Sequence, residues 1–163
     1  MSSVLKVDTI QNTAGTSAIT IDSNGVVLTP STSRPAFHAY LTANQAAGTI
    51  VFDDASALNQ GSHYNTSTGI FTCPVGGLYN FAANIMSDLD GSAAYFGVAL
   101  QINGSNFVIS QNRSTVDNDY SGNISTIASL SVNDQVNITC DQKVYGAAAA
   151  TAKYTFFSGY LIG

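Results

Sequence analysis

The sequence predicts an all-β sandwich or jelly roll, and three observations carry that expectation. Apolar and polar residues alternate with period two along several short runs, which puts one side of each run in a core. Turn signals built on Gly, Asn and Asp recur at roughly 8–12-residue spacing with no helical period between them. The composition agrees: only 9% of the 163 residues are charged, against roughly 25% in an average soluble domain, and all ten acids are Asp. Glu and Lys are the usual solvent-side fillers of helices, so their near absence argues against helical architecture. Ser, Thr, Asn and Gln supply 56 residues instead, a surface suited to strands and tight turns.

Composition also excludes partners. A net charge of −5 with five basic residues leaves no cluster of Lys or Arg to neutralise phosphates, so no nucleic-acid partner is expected. No apolar run approaches the ~18 residues of a membrane span, so no membrane insertion is expected either. Asp8 falls where the apolar centre of a signal peptide would lie, which predicts none. The Asn-x-Ser/Thr triplets at Asn65, Asn103, Asn112, Asn123 and Asn137 then read as products of an Asn- and Ser-rich composition.

Residues 1–33 form an arm and linker. Val4 to Ile10 is a short strand candidate, Thr13-Ala14-Gly15 breaks it, and Ala18 to Asp22 is a second. The turn Ser23-Asn24-Gly25 leads to Val26-Val27-Leu28, and Pro30 to Pro35 reads as a linker. Such pieces are too short to bury a core alone, which predicts disorder or intertwining between copies. Val4, Leu5, Val7, Ile10, Ile19 and Ile21 are the arm's apolar contacts.

Residues 34–163 form the folded domain. Phe37 to Leu41 opens a series of strands, Thr49 to Phe52 follows a glycine, and Tyr79, Phe81, Ala83 and Ile85 face one way while Asn80 and Asn84 face the other. Phe96, Val98, Leu100 and Ile102 alternate up to Asn103-Gly104, a hairpin turn, with Phe107-Val108-Ile109 returning. Ile124, Thr126, Ala128 and Leu130 share a face, Val136, Ile138 and Cys140 follow, and Tyr154 to Gly163 closes the chain. Gly146 with Ala147 to Ala150 reads as a loop. Between these runs, Gly69-Ile70-Phe71-Thr72-Cys73 is a strand that Pro74 ends by removing a donor, and Gly76-Gly77 permits the reversal into Leu78.

That break carries a resemblance. Asn59-x-Gly61-x-x-Tyr64-Asn65, Gly69-Ile70-Phe71-Thr72-Cys73-Pro74-Val75 and Gly77-Leu78-Tyr79-x-Phe81 resemble the signature of the complement C1q globular head, a family similar to the tumour-necrosis-factor jelly roll. Arg34-Pro35-Ala36-Phe37 resembles its opening strand and Phe157-Ser158-Gly159-Tyr160-Leu161 its closing one. Gly76 stands where the family more often has proline, and no collagen-type Gly-x-y repeat precedes the domain. The resemblance implies a ten-stranded jelly roll that packs as a homotrimer. Phe37, Phe52, Phe71, Tyr79, Phe81, Phe157 and Tyr160 are its expected core, and Gly69, Gly77 and Gly159 its special backbone positions. The arm, from Leu5-Lys6-Val7-Asp8-Thr9-Ile10 to Ile19-Thr20-Ile21-Asp22, is similar to the start of many tailed-phage virion proteins. This implies a short fibre or spike attached to tail or capsid proteins of a virion, with the knob free to contact a host-surface glycan or receptor; a trimeric capsid decoration protein and a glycan- or receptor-binding module outside a virion are the alternatives.

Few residues suggest chemistry. His38 and His63 are the only histidines, no nucleophile-elbow motif accompanies them, and no catalytic residue is assigned. Asp88, Asp90, Asp117 and Asp119 sit in pairs at loop tips, where calcium could bind, although Asp in turns has a sufficient local explanation. No other cofactor is expected. Cys73 and Cys140 read as two buried small hydrophobes, with a disulfide as the alternative. Tyr64, Tyr120 and Tyr145 lie beside loops, where stacking on sugars and packing across an interface stay open.

Overall fold

The structure, a computed structural model, describes residues 7–15, 17–25, 27–28, 34–88, 95–113, 120–147 and 153–163. The chain divides into two units, Met1–Arg34 and Pro35–Gly163. In the first, β1 (Thr9–Gln11), β2 (Ser17–Ile21) and β3 (Val27–Leu28) form an antiparallel sheet in the order β1-β2-β3. The arm's described strands thus pair with each other into an ordered meander rather than lying disordered. Thr9 faces Thr20 and Ile10 faces Ile19. Both turns close on a glycine in the left-handed region, Gly15 at φ 81° and Gly25 at φ 79°, a conformation glycine adopts at little cost. Ile10 is about half exposed, while Val7, Ile19 and Ile21 are half-buried. Val4, Leu5 and most of the linker lie outside the described residues.

The second unit is a sandwich of two antiparallel sheets, with no helix among the described residues. Its strands are β4 (Ala36–Tyr40), β5 (Gly48–Thr49), β6 (Asp54–Gln60), β7 (Tyr64–Asn65), β8 (Ile70–Thr72), β9 (Gly77–Met86), β10 (Tyr95–Ile102), β11 (Ser105–Arg113), β12 (Ser121–Leu130), β13 (Gln135–Cys140) and β14 (Phe156–Leu161). One sheet runs β12-β9-β14-β4-β6; the other runs β11-β10-β13-β8-β7, with β5 also on β13. The interleaving of chain-distant strands in both sheets is the jelly-roll arrangement. Eleven described segments stand where ten strands are expected, and two of them, β5 and β7, are two-residue ladders.

The alternating pattern dictates the core. Tyr79, Phe81 and Ile85 on β9 are fully buried from one sheet, and Phe96, Val98 and Leu100 on β10 from the other. Between them lies one aromatic cluster. Phe37 stacks on Tyr64 and Phe71 with ring centroids 4.8 and 5.1 Å apart, and meets Phe157 edge-on at 4.9 Å. Phe71 also reaches Tyr79 at 5.6 Å and Phe81 at 5.9 Å. Phe37, Tyr79, Phe81 and Phe157 come from one sheet and Tyr64 and Phe71 from the other, so these contacts join the layers.

The Cys-Pro break is where the chain changes sheet. β8 lies in one sheet and β9 in the other, and the intervening residues are tied to the β12–β13 turn. Cys73 N–H donates to the Asp134 carbonyl at 2.8 Å and the Cys73 carbonyl accepts from Asn133 N–H at 2.8 Å. The buried Tyr79 hydroxyl donates to the Val75 carbonyl at 2.7 Å. Gly77 has no positive φ; what sets it apart is a close backbone approach. A side chain there would meet the Gly163 carbonyl at 2.8 Å, where the end of the chain pairs with Leu78. Gly159 makes room in the same way, since a Cβ would stand 2.6 Å from the Phe81 ring. Gly69 does need its freedom, with φ 74° and the Ile50 carbonyl 2.2 Å from an added Cβ.

Three further expectations change. Tyr160 is not core: it is about half exposed, because the alternation that buries Phe157 and Gly159 on β14 points position 160 outward. Residues 50–52 are not strand, although Ile50 and Phe52 are fully buried. Tyr64 is not a loop aromatic: it is buried, and its hydroxyl accepts from Phe52 N–H at 3.2 Å. Residues 148–150 lie outside the described residues.

Candidate functional site

The sheet β12-β9-β14-β4-β6 has an outer face as well as a core face, and register assigns its residues. One row across the five strands reads Ile127, Asn80, Tyr160, Ala36 and Gln60, and the next reads Ser125, Ala82, Ser158, His38 and Leu58. A third reads Asn123, Asn84, Phe156, Tyr40 and Asp54. Of these positions only Asp54, on the edge strand, carries a formal charge. Leu58, Leu78, Ile127 and Tyr160 are each 42–56% exposed. A broad uncharged face with four large exposed hydrophobics is the composition of a protein–protein contact rather than of a solvated surface.

The polar groups of this face gather at the β4–β6 margin. Tyr40 donates its hydroxyl to Asp54 Oδ2 at 2.5 Å, and Lys153 Nζ lies 3.7 Å from the centre of the Tyr40 ring. Hydrogen bonds from Tyr40 and Ser56 hold the Asp54 carboxyl down at about 2. His38 packs beside Phe156 with ring centroids 5.3 Å apart, and its pKa is lowered first by burial and then by the Lys153 charge. Both effects favour the neutral imidazole of His38.

Of the calcium candidates, Asp88 is the one within the described residues. Its Oδ2 accepts from Lys143 Nζ at 2.6 Å and from Asn44 Nδ2 at 2.6 Å. Asp90, Asp117 and Asp119 lie outside the described residues, and among the described residues no three His, Cys, Asp or Glu side chains group to hold a metal. Cys73 and Cys140 are both free and buried. The Cys140 thiol donates to the Gln142 carbonyl at 3.1 Å, and burial raises its pKa. Tyr145 packs on Tyr154 with centroids 5.9 Å apart, and Tyr120 is half-buried against the core.

Sequence reasoning missed β6, whose Asp-Ala-Ser-Ala-Leu-Asn-Gln run lacks β-branched residues and buries only Ala55 well. It also missed that the outward positions form one face. The signal was present in the polar half of each alternation, where Leu78, Ile127 and Tyr160 interrupt Ser and Asn.

Two packed antiparallel sheets with an aromatic core between them define a jelly-roll module. The chain belongs to the C1q domain family, which it matches over residues 36–162. Among solved structures it is similar to the globular domain of zebrafish complement 1qA protein, at 18% identity and TM-score 0.62, covering 79% of this chain and 98% of that one. It is also similar to Eiger TNF from S. frugiperda (10% identity, TM-score 0.66, 80% and 93% covered) and to murine APRIL (13%, 0.59, 80% and 100%). Domains of this family are non-enzymatic modules, generally trimeric and often ligand-binding.

Proposed function

We propose that this chain is a homotrimeric structural protein of a tailed-bacteriophage virion, a short fibre or spike whose arm attaches it and whose C1q-like knob is displayed. The observation that carries the trimer is the uncharged outer face of β12-β9-β14-β4-β6, with Leu78, Ile127 and Tyr160 exposed on it. A three-fold ring buries such a face in every copy and leaves none to propagate into a filament. Support for the virion placement is the arm's similarity to the start of tailed-phage virion proteins, together with its division from the knob as a separate unit. Tail or capsid proteins are the proposed partners of the arm. A second reading, a trimeric capsid decoration protein, uses the same arm and the same trimer.

Attachment tests the placement. A chain shortened to begin at Ser33 should keep its oligomeric state and melting behaviour yet fail to join particles that the full chain joins. Equal incorporation of both chains would overturn the role of the arm. Immunogold labelling of complete particles then separates tail from capsid.

A further inference from the structure

The opposite sheet carries a trough of about 270 Å³ on its outer face, just under the roughly 300–1,000 Å³ typical of ligand clefts. Its floor is the outward side of β10, where Gly97 and Ala99 put almost no side chain above the strand. Ala99 is flanked by Ile109 on β11 and Thr139 on β13, and Gly97 by Gln111, so the neighbouring strands rise as walls. Both ends are closed by fixed polar groups. At one, the Gln101 carboxamide donates to Asn106 at 2.9 Å and accepts from Asn137 at 3.3 Å. At the other, Asp141 folds over the glycine and accepts from Gly97 N–H at 2.7 Å. A Cβ at Gly97 would stand 2.7 Å from the second Asp141 oxygen, so this closure depends on glycine.

We infer that this trough is a binding site for a neutral monosaccharide unit. Its lining supplies amide, hydroxyl and carboxylate groups, which match the paired donors and acceptors of adjacent sugar hydroxyls. Ile109, 60% exposed, offers an apolar wall for the C–H face of a pyranose ring. Among the described lining side chains none is a cation that could hold a phosphate, sulfate or sialic carboxylate, and Asp141 repels each of them. One exposed hydrophobic among amides is too little apolar surface for a lipid or aromatic ligand. The inference stands apart from the trimer, whose face belongs to the other sheet.

Saturation-transfer NMR and calorimetry on the full chain, with glucose, galactose, mannose and N-acetylglucosamine as probes, test it. N-acetylneuraminic acid and inorganic phosphate serve as anionic controls. At least one neutral sugar should bind at millimolar concentration, and Gln111→Leu or Thr139→Val should each weaken it about tenfold, as loss of one hydrogen bond does, without changing the melting temperature. No transfer from any of the four sugars, equal binding of an anionic control, or undiminished binding by Gln111→Leu would each overturn it. Sedimentation of the same samples reads the trimer separately, so either claim can fail alone.

Discussion

The two sheets share one core but turn different surfaces outward. The face of β12-β9-β14-β4-β6 mixes Ser, Asn and Ala with the exposed Leu78, Ile127, Tyr160 and Leu58, and its one formal charge, Asp54, is on the edge strand. The face of β11-β10-β13 is broken by Gly97 and Ala99 into a trough edged with amides and a carboxylate. A face with exposed apolar side chains and little charge suits contact with another protein surface, while a small polar concavity suits a small polar ligand. The alternation that builds a core thus leaves two outer faces free to differ, because packing constrains only every second residue.

The largest expected effect strikes what the sheets have in common. Phe71 is buried and touches Phe37, Tyr79 and Phe81 on the opposite sheet. Phe71→Ala should cost about 3–5 kcal/mol by chemical denaturation, the range for a truncated buried aromatic. A loss below about 1 kcal/mol would mean that the aromatic cluster does not join the layers.

Next come matched changes on the two outer faces. Ile127→Asp puts a charge in the uncharged plane and should lower the mass in solution towards that of one chain, because a desolvated unpaired carboxylate opposes association. Ile109→Asp, at an equally exposed position on the other sheet, should leave the mass unchanged. If both variants dissociate, or neither does, the distinction between the faces fails.

Much of the two-sheet fold was legible because period-two alternation marks strands buried on one side. β9, β10, β12 and β13 all follow from it, and the Asn103-Gly104 turn has the two positive φ values, 52° and 77°, of its hairpin class. What was not legible had a physical cause in each case. β6 has no alternation because it lies at a sheet edge and buries little. Tyr160 was read as core by residue type, yet register against Asn80 turns it outward. The trough could not be read at all, since Gly97, Gln111 and Thr139 lie on three strands whose adjacency only the topology reveals.

A smaller effect concerns pH. Burial, and then Lys153, lower the pKa of His38 below its usual 6.5. The unfolded chain therefore binds the proton more readily, so the stability contributed here is present above about pH 6.5 and is lost as pH falls through the folded value. Melting temperature should fall modestly from pH 7.5 to 5.5, and His38→Gln should flatten that slope. An unchanged slope in the variant would assign the dependence to other groups. The smallest effect is none: with Cys73 and Cys140 both free, a reductant should leave the melting curve where it is. A clear drop on reduction would reveal a disulfide.

Sedimentation equilibrium of the unaltered chain at micromolar concentration tests the central claim most directly. An uncharged outer face that is buried between copies predicts a single species at three times the 16.9 kDa chain. A clean monomer would show that Leu78, Ile127 and Tyr160 stay in water, and would contradict the account.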